Sequence, residues 1–76
     1  MRLDLLKTGE SAVITKVGGE GTLRLRLLDM GLIPKTVVKI QKVAPLGDPI
    51  QLLIRGYDLT IRKEDAAVID VEKEVK

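Results

Sequence analysis

The run from Arg24 to Val38, Arg-Leu-Arg-Leu-Leu-Asp-Met-Gly-Leu-Ile-Pro-Lys-Thr-Val-Val, contains the end of a short amphipathic helix and the start of a β-strand. Gly31 is the stop signal. A helix reaching Met30 leaves its last carbonyls unpaired, a glycine just past the end takes the left-handed conformation that ties them off, and Pro34 prevents continuation. The rest of the chain is strand-like to its end, so one helix is inserted into a small β domain.

The flanking segments fit that frame. Leu3 to Leu6 and Gly9 form a lead-in, with Thr8-Gly9-Glu10 as a turn. Ser11 to Val17 is rich in β-branched residues and stops at Gly18-Gly19. Thr22 is read as the N-cap of a helix over about residues 22–30. Thr36 to Val43 alternates Val38 and Ile40 against Lys39 and Gln41, the period of a half-buried strand. Ala44 to Pro49 is a loop. Ile50, Leu52 and Ile54, then Leu59 and Ile61, make two further inward sets. Between them Gly56-Tyr57 is read as a type II′ turn that sets Arg55 opposite Asp58. Lys63 to Ala66 is one helical turn, Ala67 to Val71 a last strand, and the tail from Glu72 frays.

A chain of 76 residues has room for one domain, 1–76, with one modest core. Five short strands and one helix at this length point to a mainly β fold, a small and strongly bent barrel whose closure removes unpaired edges. The pattern does not choose between the SH3-like and OB-like forms.

The helix carries an anomaly. At about 100° per residue, Leu23, Leu27 and Met30 share one face while Leu25 and Leu28 lie on roughly the opposite one. Docking on a sheet needs only one apolar stripe. We expect Leu23, Leu27 and Met30 to pack inward and Leu25 and Leu28, flanked by Arg24 and Asp29, to meet a partner. The alternative is that Leu46, or Leu5 and Leu6, folds over them.

The residue types present exclude most chemistry. With no histidine and no cysteine, the common general base, the thiol nucleophile and the usual transition-metal ligands are missing. Ser11 is the only serine and nothing places a base beside it. Gly18 to Thr22 lacks the lysine of a phosphate-binding loop. The carboxylates Asp29, Asp48, Asp58, Glu64, Asp65 and Asp70 show no ligand spacing. The chain therefore reads as a non-enzyme with no catalytic residues, resident metal or cofactor. Net charge is +2, yet residues 21–47 hold Arg24, Arg26, Lys35, Lys39 and Lys42 against Asp29 alone; the ordinary reading is a solvated mixed-charge surface, and the alternative is a basic centre that steers an acidic partner. Tyr57 is the one aromatic, too few for the stacking platforms of single-strand nucleic-acid binders or the groove of proline-recognising domains. No nucleic-acid partner is expected. The absence of cysteine and of any long apolar run suits a cytoplasmic protein.

The string Arg26-Leu27-Leu28-Asp29-Met30-Gly31-Leu32-Ile33-Pro34, followed by Ala44-Pro45-Leu46-Gly47-Asp48-Pro49-Ile50 and by Arg55-Gly56-Tyr57, closely resembles the FeoA family of ferrous iron transport proteins. The likeness continues through Ile61-Arg62-Lys63-Glu64 to Val71 and spans nearly the whole chain. It implies an SH3-like barrel with an inserted helix, similar to the C-terminal domain of iron-dependent repressors. It also implies a cytosolic accessory protein that binds and regulates FeoB, the GTP-dependent membrane transporter, at the inner face of the membrane without carrying the iron. The membrane would then be met only through that partner, and self-association stays open. On this reading the contact residues are Arg24, Leu25, Leu28, Asp29, Lys35 and Leu46. The rival readings are a regulatory domain related to metal-dependent repressors and a nucleic-acid-binding small barrel. One position departs from the family, which usually has Pro-Gly where this chain has Pro34-Lys35. A type II turn there forces Lys35 to positive φ, and a type I turn avoids it.

Overall fold

The computed structural model describes residues 1–73. A 3₁₀ turn at Leu3–Leu5 leads into strand β1 (Ser11–Val17), helix α1 (Gly21–Asp29), strands β2 (Val37–Val43), β3 (Ile50–Ile54) and β4 (Tyr57–Ile61), the short helix α2 (Lys63–Ala66) and strand β5 (Ile69–Lys73). The strands form one antiparallel sheet in the order β4-β3-β2-β1-β5. Irregularities between Ile14 and Lys16 and between Ile40 and Lys42 break the register, and such bulges increase the local bend of a sheet.

The inward sets read from the alternation, Val38 and Ile40, then Ile50, Leu52 and Ile54, then Ile61, are buried, while Leu59 is half-buried; Ala12, Ile14 and Val17 of β1 and Ile69 and Val71 of β5 complete the core. Leu3 and Leu6 join them from the lead-in, while Leu5 between them is exposed. Leu27 is the one side chain of α1 that enters the core completely, and Leu23, Leu28 and Met30 pack against the core partly buried.

Several local expectations are corrected. Helix α1 begins at Gly21 with Glu20 in the cap position and no side-chain cap, so Thr22 lies inside the first turn. The hairpin turns on Arg55-Gly56, both with positive φ (50° and 83°), the geometry of a type I′ turn. The register is accordingly Ile54 opposite Tyr57 and Leu53 opposite Asp58. The turn thus sits one residue earlier than expected, and Asp58 does not face Arg55. The last strand starts at Ile69, because Ala66 and Ala67 finish α2. Glu72 and Lys73 do not fray but pair with Val13 and Ala12, and the rest of that tail lies outside the described residues. The sheet also stays open. Among the described residues β4 does not pair with β5, and the outer edge of β5 is covered by the N-terminus instead. Arg2 bridges Asp70, and the Met1 amine and carbonyl take the Val71 carbonyl and amide at 3.0 and 2.7 Å.

At the end of α1 the chain makes the paired hydrogen bonds of a glycine-capped helix. The Gly31 N–H donates to the Leu28 carbonyl at 3.0 Å and the Leu32 N–H to the Leu27 carbonyl at 3.1 Å, with Gly31 at φ 96°. Leu27 and Leu32, which this cap brings together, are both fully buried. The next turn is the type II choice: Lys35 sits at φ 74° and the Thr36 N–H closes onto the Ile33 carbonyl at 3.3 Å. Left-handed backbone costs a residue with a Cβ about 1–2 kcal/mol. The turn is held regardless, because the Lys35 N–H donates to the Ile14 carbonyl and the Ile14 N–H to the Thr36 carbonyl, at 2.7 and 2.9 Å.

Leu27→Ala is expected to lower stability by about 2–5 kcal/mol, as a core truncation does, read as a lower denaturation midpoint with an unchanged slope. A second outcome concerns pH. The Lys73 ammonium bonded to Glu10, and then the Lys7 N–H at 2.7 Å, hold the Glu10 carboxyl below its ordinary value of 4.5. A lowered folded pKa contributes stability above the unfolded value and loses it as pH falls through the folded one. The stability gap between the parent and Glu10→Gln should therefore be full above pH 4.5 and close on further acidification.

Candidate partner-binding surface

Helix α1 is pinned along one side by four contacts. Leu27 enters the core, and the Arg24 Nε donates to the Val17 carbonyl at 3.2 Å. Arg26 Nη2 reaches Asp65 Oδ1 of α2 at 3.4 Å, and the Tyr57 hydroxyl donates to the Met30 carbonyl at 2.9 Å. The last contact ties the hairpin to the C-terminus of the helix. It also explains the space at Gly31, where an added Cβ would stand 2.8 Å from the Tyr57 oxygen.

These anchors leave one side of the helix uncovered. Leu25 is 61% exposed, flanked by the exposed Arg24 and Asp29. Leu28 does not share that outward position, because it packs half-buried against the core. The reason is angular: Leu28 follows Leu27 by one residue and lies near the edge of the inward face. Leu46 is 95% exposed at the tip of the β2–β3 loop, so it does not cover the helix. That loop leans instead on α2, where Asp48 Oδ1 accepts the Lys63 N–H at 2.9 Å. Leu6 is buried in the core and Leu5 is 53% exposed, so neither lead-in leucine shields Leu25. Of the six residues read from sequence, Arg24, Leu25 and Asp29 share the free surface of α1, Lys35 is exposed on the turn beyond it, Leu46 stands on a separate loop, and Leu28 is largely withdrawn.

A cavity of about 520 Å³ opens where the sheet fails to close, lined by Arg26 and Met30 of α1, Thr60 and Ile61 of β4, and Arg62 and Asp65 around α2, among others. Asp65 is 8% exposed and satisfied by Arg26. Glu64 also lines it, with no histidine, cysteine or serine beside either carboxylate, and among the described residues no three acidic, histidine or cysteine side chains come together as a metal site. Sequence reasoning missed one contact between the hairpin and the turn after α1. Arg55 Nη2 donates to the Thr36 hydroxyl at 3.4 Å, and Thr36 is buried. The Arg-Gly order at the hairpin was the available signal, since both central residues of a type I′ turn take positive φ.

A family model described as the FeoA domain matches residues 1–73. The chain belongs to the FeoA family. A curated relative, the Fe(2+) transport protein A/Fe(2+) transporter FeoB fusion protein of Porphyromonas gingivalis, is 44% identical over 72 residues, covering 95% of this chain. The chain spans only 8% of that relative's length. Among solved structures, the FeoA protein from Chlorobium tepidum superposes with a TM-score of 0.90 at 40% identity, covering 99% of this chain and 71% of that one. T. acidophilum IdeR gives 0.85 at 27% identity, covering 97% of this chain and 34% of that one. The fold is SH3-like, with the inserted helix that the resemblance implied. Family membership in ferrous iron transport thus stands beside a surface without metal-ligand clusters among its described residues.

Anaerobic titration with ferrous iron should show only weak, sub-stoichiometric binding by scattered carboxylates, since histidine and cysteine are missing from the chain. A tight one-to-one calorimetric isotherm would contradict this.

Proposed function

We propose that this protein is a non-enzymatic interaction module of ferrous iron uptake that binds a FeoB-type membrane transporter on its cytoplasmic side and regulates it. The observation that supports the reading is the relative in which a FeoA-like segment and a FeoB transporter form one chain. Two partners encoded as one polypeptide meet at high effective concentration, so separate chains of the same kind need a contact surface to replace the covalent link. Leu25 is the apolar centre of that surface, with Arg24 and Asp29 at its rim. A large exposed aliphatic side chain on an anchored helix gains by burial against a partner. Lys35 and Leu46 extend the contact beyond the helix, while Leu28 supports it from beneath. No helix among the described residues is long and apolar enough to cross a membrane, and the transporter supplies the membrane association.

The test is Leu25→Glu. The substituted side chain faces solvent, so the melting temperature should stay within a degree or two, while binding to the transporter and stimulation of its GTP hydrolysis are lost. Unchanged binding by a folded variant would remove α1 from the contact. Loss of binding with unaltered GTP turnover would separate docking from regulation.

A further inference from the structure

Lys35 and Arg55 are the only residues other than glycine with positive φ among those described, at 74° and 50°. Glycine or asparagine suits such backbone better, yet the chain places a long cation at each. Strained positions persist where the surroundings over-determine them, and they cluster at sites of function. The two are also neighbours. Arg55 donates to the hydroxyl of Thr36, the residue after Lys35, and the pairing of Val38 with Ile54 sets Val37 beside Arg55 on the outer face of the sheet. Val37 is 46% exposed and pairs with the half-buried Val13 of β1. Lys39 follows on the same face, and the exposed Lys42 extends the positive charge along β2.

None of these four cations has an ion-pair partner among the described residues. The ion pairs found there are Arg2–Asp4, Arg26–Asp65, Arg62–Glu64 and Lys73–Glu10, all elsewhere on the molecule. Asp58 lies two strands from Lys39 through Leu53, and Glu72 two strands from Val37 through Val13, and neither is paired with these cations. The surface therefore combines cations that form no ion pair among the described residues with a valine pair of which Val37 is the exposed member, at a cost in backbone strain that two substitutions would relieve.

We propose that Lys35 and Arg55, with Val37 and Lys39 between them, form a docking surface for an acidic segment of the protein partner. The charge complementarity names the segment's chemistry: carboxylates spaced to reach the cations, with an apolar side chain over Val37 and Val13. A nucleic acid would need aromatic platforms or a longer basic track. A lipid surface would need larger apolar anchors than one valine pair. This inference rests on the transporter reading and adds a second, electrostatic contact to the apolar one at Leu25.

The test measures the affinity of the full chain for the FeoB-type transporter in nanodiscs, for the parent, Lys35→Gly and Arg55→Asn. Both substitutions relieve the left-handed strain, and the second creates the Asn-Gly pair preferred in a type I′ turn. Both variants should melt at or above the parent, bind roughly tenfold more weakly at low salt, and approach the parent as salt rises from roughly 50 to 500 mM. Lys35→Arg and Arg55→Lys should bind like the parent. Should Arg55→Asn unfold because Thr36 loses its partner, Lys35→Gly alone decides. Parent-like binding by the glycine variant, with Leu25→Glu still deficient, overturns this surface and leaves the transporter reading standing. A parent that does not bind the transporter overturns both. Tighter binding of duplex RNA or of phosphatidylglycerol vesicles through these same residues replaces the acidic protein segment as occupant.

Discussion

The C-terminal cap of α1 is the interaction on which the rest of the structure depends. Two amides, from Gly31 and Leu32, reach back to the carbonyls of Leu28 and Leu27, and the same turn of chain drops Leu32 into the core against Leu27. A helix of nine residues is too short to hold itself together in water. Its persistence comes from this cap, from one buried leucine, and from contacts made by Arg24, Arg26 and Tyr57 to three different parts of the chain. Because all of them act on one side, the opposite side of α1 is held rigidly and left bare. In the proposed contact this rigidity favours Leu25, since an ordered residue loses little further conformational freedom when it binds.

The open sheet has a similar logic. An SH3-like arrangement that does not close by hydrogen bonds must manage two edges. The chain covers β5 with its first two residues and leaves β4 facing α1 across the cavity lined by Arg26 and Met30. The Tyr57 hydroxyl spans that seam to the Met30 carbonyl. The only aromatic residue of the protein thus serves as a brace between the hairpin and the helix, and binding platforms of stacked rings are excluded by composition alone.

The absence of histidine and cysteine and the fusion relative point the same way by independent routes. The first removes the side chains that hold ferrous iron best. The second joins a FeoA-like segment to a transporter that handles it. On the proposed reading, in which the protein works by contact with the transporter, its informative features are surface features: a bare leucine on a fixed helix, and cations held on strained turns.

What the sequence determined by itself was everything that depends on neighbours along the chain. The period-two runs placed the inward residues of β2 and β3, and Gly31 marked the helix end, because burial alternation and the left-handed cap are local demands. Family membership was legible too, since the Met-Gly-Leu, Gly-Asp-Pro and Arg-Gly-Tyr strings lie in one continuous order. The tertiary structure decided what depends on distant contacts. The β1 ladder forced Lys35 into positive φ where a local reading left two turns open, and the strand pairing moved the hairpin turn by one residue. Leu28, at the edge of the inward face, packs half-buried against a core that the sequence alone does not place beside it. The energies of these choices come from pairing with Ile14, from Tyr57 opposite Ile54, and from a core assembled out of every strand, none of which is a property of the local sequence.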